Sequence, residues 1–200
     1  MPMKLHTRAL PLVGLVGLLL GLGACRSRGT AGATAAVTGE DTRAVYEAVL
    51  REAYTHDGVK RLVVDPDLHW IGDDMVGLYE RPRGVPHDAW RAWITRARRG
   101  GKLPRELTPG VEVHWFTNRE VLDLPTDGSI EAWWPAFHER FPDSSGHIQL
   151  SRIGFSADGR SAVVYGWVGS GSLSASGDLF LLRRTEAGWR MVATHNFAMA

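Results

Sequence analysis

The stretch His147–Phe197, HIQLSRIGFSADGRSAVVYGWVGSGSLSASGDLFLLRRTEAGWRMVATHNF, decides the fold. It contains four runs rich in β-branched, aromatic and aliphatic residues: His147–Phe155, Ser161–Val168, Asp178–Arg184 and Gly188–Phe197. Such runs, bounded by Gly, Ser and Asp, read as strands. Asp158-Gly159 and Ala187-Gly188 supply hairpin turn chemistry between two of the neighbours. The gaps are too short for helical crossovers, so the spacing predicts an antiparallel meander. The intervening Gly169–Gly177, GSGSLSASG, reads as a strand connection.

Upstream the apolar period changes from two to nearly four. Asp41–Tyr54 places Val45, Val49, Leu50 and Ala53 at helical spacing, with Thr38 or Asp41 able to cap the start. Val59–Val64 reads as a strand and Asp65–Pro86 as irregular chain. His87–Arg99 is a second helix with an apolar stripe of Ala89, Trp90, Trp93, Ile94 and Ala97, stopped by Gly100-Gly101. Val111–Phe116 alternates as a strand. Ile130–Phe141 is a short helix interrupted or started by Pro135, in which adjacent Trp133 and Trp134 cannot share one face. These elements predict an α+β domain over residues 40–200: a curved antiparallel sheet with helices packed on one face, of the cystatin or NTF2 type.

The N-terminus reads as an address. Lys4, His6 and Arg8 precede the apolar run Leu10–Leu22, which is shorter than the roughly 20 residues of a spanning helix. Leu22-Gly23-Ala24-Cys25 resembles the bacterial lipobox. The resemblance implies a signal peptide over 1–24, acyl chains on Cys25, and a membrane anchor. Cys25 is the single cysteine, so the chain has no internal disulfide. Residues 25–39 then form a lipidated start and a small, polar tether. Loss of Lys4 and Arg8 with the signal takes the formal charge from +1 to −1.

The segment Phe141-Pro142-Asp143-Ser144-Ser145-Gly146, followed by Leu150-Ser151-Arg152-Ile153-Gly154-Phe155, resembles a YPxSxG…LSRVGF pattern of uncharacterised bacterial secreted and lipoprotein domains. Ala162-Val163-Val164-Tyr165, Gly177 with Leu182, and Trp189 fall at the places of that pattern's later strands. The likeness covers about a third of the chain and implies a related fold without an assigned activity. In that pattern the Gly-rich loop often carries cysteines, and Gly169–Gly177 carries serines in their place.

No catalytic motif is present. G-x-S-x-G is absent, and the Gly-rich run lacks the lysine and following helix of a phosphate loop. His138-Glu139 begins a zinc motif whose second histidine is replaced by Pro142. Asp65, Asp67 and His69, with Asp73-Asp74 beyond, alternate as cation ligands could, but Asp-Pro-Asp is first of all turn chemistry. No metal or cofactor is expected. The asymmetry that stands out is charge: Arg81–Arg105 holds eight basic residues and one acid, Asp88. Arg91, Arg98, Arg99 and Lys102 form a candidate anion-binding face, with the Trp90/Trp93 stripe assigned to core packing.

These readings describe a lipid-anchored protein of the bacterial cell envelope, at the outer membrane or the periplasmic face of the inner membrane. It is expected to be a non-enzymatic binding module. Besides the membrane held through Cys25, its partners would be an acidic envelope polymer, anionic lipid or a protein, and not nucleic acid. The alternative is a small NTF2-like pocket enzyme, a hydrolase or isomerase, working through His114 or His195 on the sheet. The anchor is tested by metabolic labelling with a palmitate analogue: label is expected on the native chain and lost in Cys25→Ala, and label that persists removes the assignment.

Overall fold

The computed structural model describes residues 36–69, 71–72, 80–124, 127 and 129–199, the last two as backbone only. The expected signal peptide (1–24), Cys25 and most of the expected tether (25–39) lie outside these residues, as do Asp73 and Asp74. The first helix, α1 (Gly39–Tyr54), starts where the sequence has a Thr-x-x-Asp box. Thr38 Oγ1 accepts from Asp41 N at 3.1 Å, and Asp41 Oδ2 accepts from Thr38 N at 2.9 Å. Asp41 is also buried against the C-terminal strands: Trp189 Nε1 donates to its Oδ1 at 3.2 Å, and Arg184 pairs with it.

The remaining elements are β1 (Arg61–Val64), α2 (His87–Ala97), β2 (Glu112–Trp115), α3 (Asn118–Leu122), α4 (Ile130–Arg140), β3 (Ser144–Leu150), β4 (Gly154–Phe155), β5 (Ser161–Gly171), β6 (Ser174–Thr185) and β7 (Gly188–Met199). They form one seven-stranded sheet in the order β2-β1-β3-β5-β6-β7, with β4 paired to β5. The α+β class and the antiparallel C-terminal meander follow the sequence reading. The sheet as a whole is mixed, because β1 pairs parallel to both β2 and β3. Each of those connections contains a helix, which is what a parallel return requires.

Alternation along the strands splits the core. Ala162, Val164, Phe180 and Leu182 pack with Val45, Val49 and Leu50 of α1. Their neighbours Val163, Tyr165, Leu179 and Leu181 pack with Ala89, Trp90 and Trp93 of α2. Val63, which alternates with Leu62 and Val64 of the α1 cluster, joins Phe116, Trp134, Phe137 and Phe141. The Trp-bearing helices α2 and α4 therefore share one face of the sheet, and α1 covers the other. The Trp90/Trp93 stripe is buried core.

Three local readings change. The run His147–Phe155 is two strands, broken at Ser151–Ile153. The Gly-rich run is mostly strand: β5 continues to Gly171 and β6 begins at Ser174, so only Ser172-Leu173 turns, with Leu173 88% exposed. Its glycines serve packing as well as turning. A Cβ on Gly169 would come within 2.4 Å of Trp167, and one on Gly177 within 2.2 Å of the Tyr165 hydroxyl. Pro135 neither starts nor breaks its helix, which begins at Ile130 behind the Ser129 cap and runs through the proline to Arg140.

A close backbone approach sets α2 against β4. A Cβ on Gly154 would lie 2.3 Å from Trp93 N and 2.5 Å from Ala89 O, both backbone atoms that cannot swing aside. Gly154→Ala is expected to destabilise the fold by about 2–3 kcal/mol. Gly39→Ala, where nothing lies within 4 Å, should stay within about 0.5 kcal/mol. Urea unfolding midpoints at unchanged slope check both.

Candidate functional site

The chain leaving α2 builds the most highly charged cleft. Arg96 sits in the last turn of the helix and Arg99 just beyond it. Gly100-Gly101 then turns the backbone back toward Pro66–Leu68: Leu68 N donates to Gly101 O at 2.9 Å, and Leu103 N to Pro66 O at 2.9 Å. Lys102 lies between these bonds and pairs with Asp67. From the break between β3 and β4, Arg152 reaches across. Its Nε donates to the carbonyls of Arg99 (3.1 Å) and Gly100 (3.0 Å), and its Nη2 donates again to Gly100 at 2.6 Å.

Arg96, Arg99, Lys102 and Arg152 thus line one cleft of about 360 Å³. Thr42, Tyr46, Leu68, Pro104, Ile153 and Phe155 complete its wall. Among the described residues, no carboxylate lies within ion-pair distance of Arg96, Arg99 or Arg152. Arg96 Nη1 reaches a backbone carbonyl, that of Ile153, at 3.5 Å. The Tyr46 phenol donates to Ser151 O at 3.1 Å and burial pushes its pKa up, so it stays a neutral donor despite the opposing pull of Arg152.

Of the four residues assigned from sequence to an anion-binding face, Arg99 and Lys102 line this cleft. Arg91 and Arg98 are exposed outside its lining. On a helix, positions seven apart return to nearly the same azimuth, so Arg91 and Arg98 belong to a different flank from Arg96 and Arg99. Arg152 was not among the assigned residues. It is some fifty positions away in the chain, and only the break between β3 and β4 brings it here.

A second cleft, also about 360 Å³, has the opposite character. Glu52, Asp178, His56 and Tyr54 line it, and the buried Tyr54 hydroxyl has no hydrogen-bond partner. The two histidines considered for acid–base work line neither cleft. His114 Nε2 is 2.8 Å from Glu120 Oε1, which also receives Arg140 Nη2 at 3.5 Å. His195 is half-buried on β7 opposite Leu179. Among the described residues, no group of three His, Cys, Asp or Glu side chains is arranged to hold a metal ion, and no helix is long and apolar enough to cross a membrane. Compared with protein-family models, with curated proteins and with solved structures, the chain matches none.

His69 and His147 have pKa values lowered from the ordinary 6.5, chiefly by burial, which Asp65 only partly opposes. In the unfolded chain both return to the ordinary value, so between the folded and unfolded pKa values the unfolded state binds more protons. Their contribution to stability is complete above about pH 6.5 and is lost as pH falls toward the folded values. The loss per group is at most about 1.4 kcal/mol per pH unit. His147 Nε2 has no partner, so His147→Leu should fold and lose less stability than the native chain between pH 7.5 and 5.5. Urea titrations at both pH values check the difference.

Proposed function

We propose that this protein is a lipid-anchored binding module of the bacterial cell envelope, and that it holds an anionic group of an envelope partner in the Arg96–Arg99–Lys102–Arg152 cleft. The lipobox-like Leu22-Gly23-Ala24-Cys25 supports the anchor. One observation carries the binding reading: three guanidiniums and an ammonium line a single cleft, those of Arg96 and Arg152 donate to backbone carbonyls, and among the described residues no carboxylate pairs with any of the three. Carbonyl bonds position a guanidinium without neutralising it, so its charge remains available to a ligand. Guanidinium donors also match the paired oxygens of phosphate or carboxylate. The pocket-enzyme alternative gains nothing from His114 or His195, which line neither cleft.

The test is co-sedimentation of residues 36–200 with anionic vesicles and, separately, with cell-wall sacculi, at low and high salt. Salt-sensitive binding is expected to one of them. It should be lost in Arg96→Glu with Arg99→Glu and kept in Arg91→Glu, which changes the same net charge per site outside the cleft. Equal loss in Arg91→Glu would reduce the cleft to general surface charge, and no binding to either fraction would remove the proposal.

A further inference from the structure

The cationic cleft is not purely polar. Leu68, Ile153 and Phe155 line it beside the arginines, and all three are otherwise buried core residues. A site for a free inorganic anion would need the charges alone. Charge and apolar wall together suit an amphiphile, with an anionic oxygen cluster at one end and hydrocarbon at the other.

The cleft's place in the chain points the same way. Thr42 and Tyr46, in the first two turns of α1, form part of its wall. The Gly39–Glu106 groove, with Arg43 and Arg105, adjoins it through the shared Pro104. Only twelve residues, 26–37, lie between Cys25 and Thr38, the cap of α1. A link of that length reaches at most about 45 Å. On the reading of Cys25 as the anchor, so short a link keeps headgroups of the anchoring membrane within reach of the domain at high effective concentration.

The geometry of Arg152 adds selectivity. Its fork is fixed on the Arg99 and Gly100 carbonyls only because residue 101 is glycine: a Cβ there would lie 2.5 Å from Arg152 Nη2. Gly101 does not have a positive φ, so its missing side chain makes room for the guanidinium rather than permitting a turn.

We propose that the cleft binds the phosphodiester headgroup of an anionic phospholipid, with Arg99 and Arg152 on the phosphate and Leu68, Ile153 and Phe155 against the glyceride portion. This rests on the binding-module reading above and names its ligand class.

The full chain in zwitterionic detergent is titrated by calorimetry with short-chain phosphatidylglycerol below its micelle concentration, with glycerol phosphate, and with soluble polyglutamate as a carboxylate polymer. Phosphatidylglycerol is expected to bind at least about tenfold more tightly than glycerol phosphate, the worth of roughly two buried methylenes. Arg152→Ala and Gly101→Ala should each weaken it about tenfold, the loss of one charge-assisted bond. Gly101→Ala displaces the far end of the Arg152 side chain and meets the tip of Leu68 at 3.1 Å, with no backbone atom in the way, so its thermal midpoint should stay near that of the native chain and separate binding loss from unfolding. Equal affinity for phosphatidylglycerol and glycerol phosphate would overturn the lipid assignment in favour of a soluble phosphate. Binding to polyglutamate alone would overturn it while leaving the binding module standing. Binding to none of the three would remove both.

Discussion

The buried hydroxyl of Ser151 is the interaction on which the rest of the architecture depends. With 0% exposure it has no water to satisfy it, and it is fully engaged by protein. Its oxygen accepts from Trp93 Nε1 at 3.0 Å and from Tyr165 N at 2.9 Å, and it donates to Arg152 O at 3.0 Å. The carbonyl of the same residue accepts from Tyr46 on α1. One residue between two strands therefore ties the helix on one face of the sheet to the helix on the other. Removing a buried partner of this kind leaves donors stranded, at about 1–3 kcal/mol each. A serine so fully bonded is structural and has no lone pair or proton left for nucleophilic chemistry.

The same break in the strand creates the cleft. Ser151–Ile153 leaves the ladder between β3 and β4, which turns Arg152 outward and lets Gly154 admit the backbone of α2. The helix is then pinned along its length. Asp88 Oδ2 accepts from Ala157 N at 2.7 Å near its start, Trp93 bonds Ser151 in its middle, and Arg96 reaches Ile153 O near its end. Because the far end of α2 lies over the break, the cations that follow the helix and the arginine that leaves the sheet converge. The LSRIGF run thus has a physical content: Ser locks, Arg projects, and Gly yields space.

Much of this was legible in the sequence, and the boundary is physical. Helical periodicity located α1, α2 and α4 because each buries one stripe. The last strands were located by their β-branched and aromatic runs: β5 buries both faces over most of its length, while β7 alternates a covered face with an exposed one. The parallel pairing of β1 with β2 and β3 left no local mark, since it depends on how helical connections fold back. The five-residue α3 is too short to show a period. Gly169–Gly177 looked like a loop because its glycines were read for backbone freedom, when Gly169 and Gly177 lie under aromatic rings. Arg99 and Lys102 were found through local charge density. Arg152 could not be, because its neighbours Ser151 and Ile153 advertise core, and its charge belongs to a site assembled from distant chain.

Bringing four cations to one cleft costs repulsion, and the structure shows what offsets it. The chain balances the basic Arg81–Arg105 segment with acids elsewhere, yet among the described residues the one carboxylate paired with a cation of the cleft is Asp67, on Lys102. Arg152 is stabilised instead by the Arg99 and Gly100 carbonyls just past the end of α2, where the helix carries partial negative charge. Such contacts contribute about 0.3–1 kcal/mol each, and up to about 2 kcal/mol when partly buried. That is enough to hold a guanidinium in place and far less than the neutralisation an ion pair would bring. Had Arg152 been fixed by a carboxylate, an incoming anion would have had to displace it. Fixed by neutral dipoles, it meets an anion already oriented and still charged.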